Sequence, residues 1–166
     1  MSREKAVNFL FERLQPLLMR ISEGSLLALA ALTFVDVLGR YVFSFPVAGS
    51  VELTEMLMVA LVFSGIPLAT AAQSHVSVDV LTLAMGPKSR RLQTVFAHLL
   101  AFVVCLLFAF ATWERALSAH EFKDRTTVLS LPLAPMVYFM SILLLVNALG
   151  HAGHLWASLA GRVAHD

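Results

Sequence analysis

The chain has 166 residues, of which 58% are hydrophobic and only 14% charged, and its mean hydropathy is +0.79. That balance excludes a soluble globular domain, and a net charge of +1 gives no electrostatic basis for binding nucleic acid. The sequence therefore reads as an all-α integral membrane protein. Its one cysteine, Cys105, lies within an apolar run, so no disulfide forms within the chain.

Residues 1–20 interleave charge with apolar residues at helical spacing, Val7, Leu10, Phe11, Leu14, Leu17 and Leu18 among them. No apolar core followed by a small-residue cleavage site is present, so the segment does not read as a signal peptide. It reads as an amphipathic interfacial helix, with Pro16 breaking or kinking it before the first span. An equal alternative is a first helix that starts early and protrudes as an amphipathic extension.

A bilayer core needs about 20 mostly apolar residues per helix. Three stretches free of Asp, Glu, Lys and Arg meet this length: Met56–Ser74, Leu92–Trp113 and the long run Thr126–Gly161. A fourth, near Ile21–Phe43, is broken by Asp36 and Arg40 but extended to spanning length by "YVFSF". The expectation is four transmembrane helices at about 21–43, 53–74, 91–113 and 131–157. The runs are apolar on every side, unlike the period-two segments of a membrane barrel. Between spans 2 and 3, Val76, Val80, Leu83 and Ala84 share one face of a short surface helix ended by Gly86-Pro87. No internal repeat or low-complexity linker divides the chain, so residues 1–166 form a single membrane domain.

Orientation follows from the basic residues of the short loops. Arg3, Lys5, Arg13, Arg20, Lys88, Arg90, Arg91 and Arg162 fall on one side; Arg40, Arg115, Lys123 and Arg125 fall on the other. The excess places both N- and C-termini in the cytoplasm.

Asp36 and Arg40 are four residues apart with the acid first, the order that lets them pair on one helical face. Glu52 and Glu55 open the second helix at the positive end of its dipole, after the turn "SFPVAG". Together the four charges read as a structural corner at the outer interface, with Arg40 placed to bridge to Glu52. The same corner is a candidate subunit contact.

The stretch "GRYVFSFPVAGSVELTEMLMVALVFSGIPLATAAQSHVSVDVL" resembles the small, DctQ-type membrane subunit of tripartite ATP-independent periplasmic (TRAP) transporters. The residues that carry the resemblance are Arg40, Tyr41, Phe43, Pro46, Glu52, Gly65 and the His75, Val78, Asp79 motif, followed by "PKSRR" and "TTVLSLPLAPMVYFM". It implies a small subunit that assembles with a large TRAP permease subunit carrying the substrate and sodium sites. A periplasmic substrate-binding protein would deliver an organic acid to the pair. The small subunit would be a fixed scaffold in the cell inner membrane, in contact with membrane lipids, without enzymatic activity. "GSVELTE" stands where many members carry a Trp and adjacent acids.

Two other classes compete. A proton-coupled four-helix exporter would use Asp36 as its central acid, against which the neighbouring Arg40 argues. A membrane cytochrome would use His98 and His151 to ligate haem, although intramembrane histidines more often hydrogen-bond between helices. No catalytic, cofactor or metal site is expected. His75 and Asp79 read as a pair within the surface helix, and small residues such as Ala60, Ser64, Gly65, Ala69, Ala97 and Ala101 suit close approach to a partner. Trp113, Tyr41, Tyr138 and Trp156 fall near span ends, as interfacial aromatics do. The loop from Glu114 mixes both signs, and its Lys123 and Arg125 are a candidate docking point for the binding protein.

Overall fold

The structure, a computed structural model, describes residues 2–72 and 87–159, with side chains for 13–70, 92–156 and 158. The surface helix expected between spans 2 and 3, with His75 and Asp79, lies outside the described residues. Among those described are four helices, α1 Ser2–Val42, α2 Ser50–Ala72, α3 Pro87–Glu121 and α4 Ala134–Leu159, and no strand. Each contains a stretch long and apolar enough to cross a bilayer.

At Pro16 the structure favours the reading in which the first helix starts early, and α3 runs past the span expected within it. α1 is continuous through Pro16, so the chain does not break there. The missing N–H and ring clash cost about 3 kcal/mol in a helix interior, and the turns on both sides still favour helix. Leu18, 4% exposed, ties the next turn into the protein. α3 begins with Pro87, suited by its fixed φ to the first helical position. It then runs on through "ERALSAHE", where no Gly or Pro stops it, to Glu121. At 1.5 Å per residue α3 is about 52 Å long, against a hydrocarbon core of about 30 Å, so it also extends beyond the bilayer.

α1 packs on α2, α2 on α4 and α4 on α3, while α1 barely touches α4. The result is an open row, α1–α2–α4–α3, in place of a closed four-helix bundle. α4 sits inside the row and is the most buried spanning segment; α1 and α3 are its edges.

Water drives little helix association inside lipid, so close packing and interhelical hydrogen bonds must hold the row. Ser64 of α2 is fully buried and its hydroxyl meets Ser22 of α1 at 2.6 Å. Ser64 therefore closes an internal contact and is not available to a partner. Between α3 and α4 a polar seam repeats every few residues. Trp113 packs edge-on to Tyr138 with centroids 5.2 Å apart, and Ser141 donates to the Ala109 carbonyl at 2.8 Å. Asn147 Nδ2 lies 3.2 Å from Cys105 Sγ, and His98 Nδ1 is 3.3 Å from His151 Nδ1. These pairs set α3 and α4 antiparallel in one register.

Replacing Ser64 by Leu should force α1 from α2 and cost about 1–3 kcal/mol through overpacking, whereas Ser64→Ala should cost about 0.6 kcal/mol. Thermal unfolding midpoints of the two variants in mild detergent check this; equal midpoints would contradict the packing described.

Candidate functional site

The α1–α2 turn and the α3–α4 loop meet at the same end of the row, and the charges near residue 40 organise the junction. Asp36 divides its carboxylate. Oδ2 accepts from Arg40 Nη2 at 2.9 Å, and Oδ1 accepts from the Val47 backbone N–H at 2.9 Å. The first bond is the within-helix pair expected from the spacing; the second ties the returning chain to the end of α1.

That return is tight. Phe45 donates its N–H to the Gly39 carbonyl at 2.8 Å, and a Cβ on Gly39 would lie 2.6 Å from the Phe45 carbonyl oxygen. Gly49 then opens α2 with φ of +76°, in the left-handed region, and a Cβ there would stand 2.5 Å from the Leu129 side chain. Only glycine meets both demands without strain.

Arg40 does not bridge to Glu52. Its guanidinium is held by Asp36 one turn away, and Glu52 turns to the α3–α4 loop. Glu52 Oε1 accepts from the Val128 N–H at 2.6 Å and Oε2 from the Leu129 N–H at 2.9 Å. Two adjacent amides with no helix or sheet partner thus receive a charged acceptor, the stronger kind of hydrogen bond. Glu55 is exposed and makes no ion pair among the described residues.

The clamped loop is itself ordered. Phe122 and Asp124 donate back to Ser118 and Ala119, ending α3 with Lys123 in the left-handed region at φ of 53°. Asp124 also takes Arg115 Nη2 at 3.0 Å. Thr126 and Leu131 exchange backbone and side-chain bonds, Arg125 bridges Pro132, and Arg125 Nη1 donates to the Ser130 carbonyl at 3.1 Å. Lys123 and Arg125 are exposed at this end.

At the opposite end, His98 and His151 face each other directly, as described above, and His154 stacks on His98 with ring centroids 5.3 Å apart. The two imidazoles a haem would need on opposite axial sides are here hydrogen-bond partners. Among the described residues no three His, Cys, Asp or Glu are grouped to hold a metal ion. Sequence reasoning singled out Asp36, Arg40 and Glu52 but not Gly39, Gly49, Leu129 or His154. The glycines flanking the turn were a legible signal; the loop that Glu52 clamps lies 76 residues away and left none.

Fold and site together define a multi-pass membrane protein whose polar groups at the loop end serve its own turns. Residues 29–161 match the family of tripartite ATP-independent periplasmic transporters, DctQ component; the chain belongs to that family and is a small permease subunit of the DctQ type. It is also 37% identical over 82 residues to a sialic acid TRAP transporter permease protein, SiaT, of Haemophilus influenzae (strain 86-028NP). The alignment takes in 49% of this chain and 13% of that protein, so the match spans a small fraction of the relative's length.

Two outcomes test the corner. Gly49→Ala should destabilise the protein, and Leu129→Ala in the same chain should restore only part of the loss, since the left-handed conformation alone costs an alanine roughly 1–2 kcal/mol; a double-mutant cycle of unfolding midpoints reads this. Trypsin cleavage after Lys123 and Arg125 should accelerate in the order native, Glu52→Gln, Glu52→Ala, because Gln keeps one acceptor and Ala none. Equal cleavage rates would mean that Glu52 does not hold the loop.

Proposed function

We propose that this chain is the scaffold on which a large TRAP permease subunit works, in binding-protein-dependent, sodium-coupled uptake of an organic acid. The observation that carries this reading is the employment of its intramembrane polar groups. Asp36 serves Arg40 and Val47, Glu52 serves the α3–α4 loop, Ser22, Ser64, Ser141, His98 and His151 bond within or between helices, and Asn147 donates to Cys105, with its Oδ1 the one oxygen of this set buried without a partner. A sodium-coupled carboxylate site needs broken helices, free carbonyls or free charges near the bilayer midplane. The described spans are helical throughout, which supports a static role here, with the substrate and sodium sites on the partner. A relative named for sialic acid is in keeping with an acid as the cargo.

The proton-coupled exporter reading fits less well, because it needs an acid free to take and release a proton, and both oxygens of Asp36 accept hydrogen bonds. The excess of Lys and Arg on one side supports an orientation with both termini in the cytoplasm and the clamped corner at the periplasmic face of the inner membrane. There Lys123 and Arg125 would stand toward the periplasmic binding protein.

Tagged chain extracted from its native membranes in mild detergent should bring down a multi-span permease in stoichiometric amount. Recovery as an isolated homodimer would overturn the scaffold reading and return attention to Asp36. Within the complex, Arg40→Ala or Glu52→Ala should lower the yield of assembled transporter before altering solute preference, measured by permease recovery and by uptake in reconstituted vesicles.

A further inference from the structure

Asn147 is buried with its bonding incomplete. It is 2% exposed and lies nine residues from Tyr138 and nine from Trp156, midway between the aromatics at the two ends of its span. Its Nδ2 meets the Sγ of Cys105, a weak acceptor, and its Oδ1 has no partner among the described residues. Turning the amide over would give Oδ1 the Cys105 thiol and orphan the NH2 instead, so Cys105 cannot satisfy both ends. An unpaired amide end in the middle of a span is costly.

The same demand continues along the α3–α4 seam, toward the end of the row where α2 stops and α3 starts. His151 stands one turn from Asn147 on the same face of α4. Its Nδ1 faces the Nδ1 of His98 at 3.3 Å, and a hydrogen bond between two neutral imidazoles needs one protonated at Nδ1 and the other at Nε2. The pair therefore keeps one Nε2 acceptor and one Nε2–H donor, neither bonded within the described residues. Five residues before His98 on α3, Gln93 Oε1 is again buried without a partner. The antiparallel register, Cys105 with Asn147 and His98 with His151, sets Gln93 opposite the turn of α4 that follows His154. From Gln93 to Cys105 the seam covers twelve residues of α3, about 18 Å.

A ligand of this seam must be small, must donate to the two amide oxygens, and must both donate and accept at the imidazoles. At 2% exposure Asn147 is out of reach of a side chain from another subunit and of a lipid headgroup. Water meets the description, since buried waters bind where about two to four polar groups converge. We propose that the seam between α3 and α4 binds a file of ordered waters, running from Gln93 past His98 and His151 to Asn147 and Cys105. The helices stay fixed while the waters complete the acceptors between them. They also give the imidazole pair a route for exchanging protons with the aqueous phase. The site is internal to this chain, so the proposal goes beyond the scaffold reading and does not depend on it.

Cys105 is the one cysteine of the chain, and its S–H proton exchanges with solvent where water reaches it. The test places the full chain, with any subunit that co-purifies, in lipid vesicles, transfers them to heavy water and follows the S–H stretch by infrared spectroscopy. Subtracting the spectrum of Cys105→Ser isolates this thiol. Asn147→Leu, which removes the innermost anchor, should slow the exchange about tenfold, equivalent to 1.4 kcal/mol, and Asn147→Asp should slow it less. Leu107→Ala, on the exposed side of α3, should leave it unchanged. Gln93→Leu should slow it at the mouth of the file and carries the test should Asn147→Leu fail to fold. Exchange equally fast in the native protein, Asn147→Leu and Gln93→Leu, or equally slow in all three, would overturn the proposal. Brief X-ray radiolysis, which oxidises buried side chains beside bound water, gives a second reading: Cys105 and His151 should be oxidised and Leu18, equally buried on α1, should not. Protection of both Cys105 and His151 would likewise overturn it.

Discussion

The carboxylate of Glu52 is the junction on which the loop end of this protein depends. It stands at the start of α2 and takes two successive amides of the α3–α4 loop, so one side chain joins the first hairpin to the second. Without an acceptor those amides would compete for water at the membrane surface, and the loop would lose its fixed height over α2. Asp36 does the same for the shorter turn, ending α1 and holding Val47. Gly39 and Gly49 are the steric counterpart, since both turns come so close that a Cβ would meet a carbonyl oxygen or Leu129.

Below that corner the helices are held by different means. The α1–α2 contact closes on two serine hydroxyls, while α3 and α4 are joined by a seam that runs from Trp113 and Tyr138 to His98 and His151. Interior hydrogen bonds of this kind set register and add modest affinity. They also occupy most of the polar groups of the spans, Asn147 Oδ1 excepted. In the open row α4 is flanked on both sides, and α1 and α3 are left as its edges.

The sequence and the structure part company at particular residues. Four spans were legible, because about 20 apolar residues in a row have few other uses. The Asp36–Arg40 pair was legible, because spacing of four places two side chains together on any helix. Pro16 left two readings open, and the continuous α1 from Ser2 fits the helix that starts early, since a helix interior tolerates a proline when the turns around it are otherwise favourable. The span expected at about 91–113 lies within α3, and that the helix runs on to Glu121 was not legible, because a charged stretch reads as loop whether or not it remains helical. The segment with His75 and Asp79 lies outside the described residues.

Composition and periodicity alone determined that this is a helical membrane protein with four spans, since hydropathy and backbone satisfaction in lipid leave no other solution. The motif from Arg40 to Asp79 pointed to its family. Only the tertiary structure decided that Glu52 clamps a loop 76 residues away, that Ser64 serves α1 and not a partner, that His98 and His151 are each other's partners, and that α1 and α3 are edges. Contacts within one helix follow from local geometry and can be read from spacing. Contacts between helices depend on the order and register of packing, and in a chain apolar on every side no periodicity announces which face meets which neighbour.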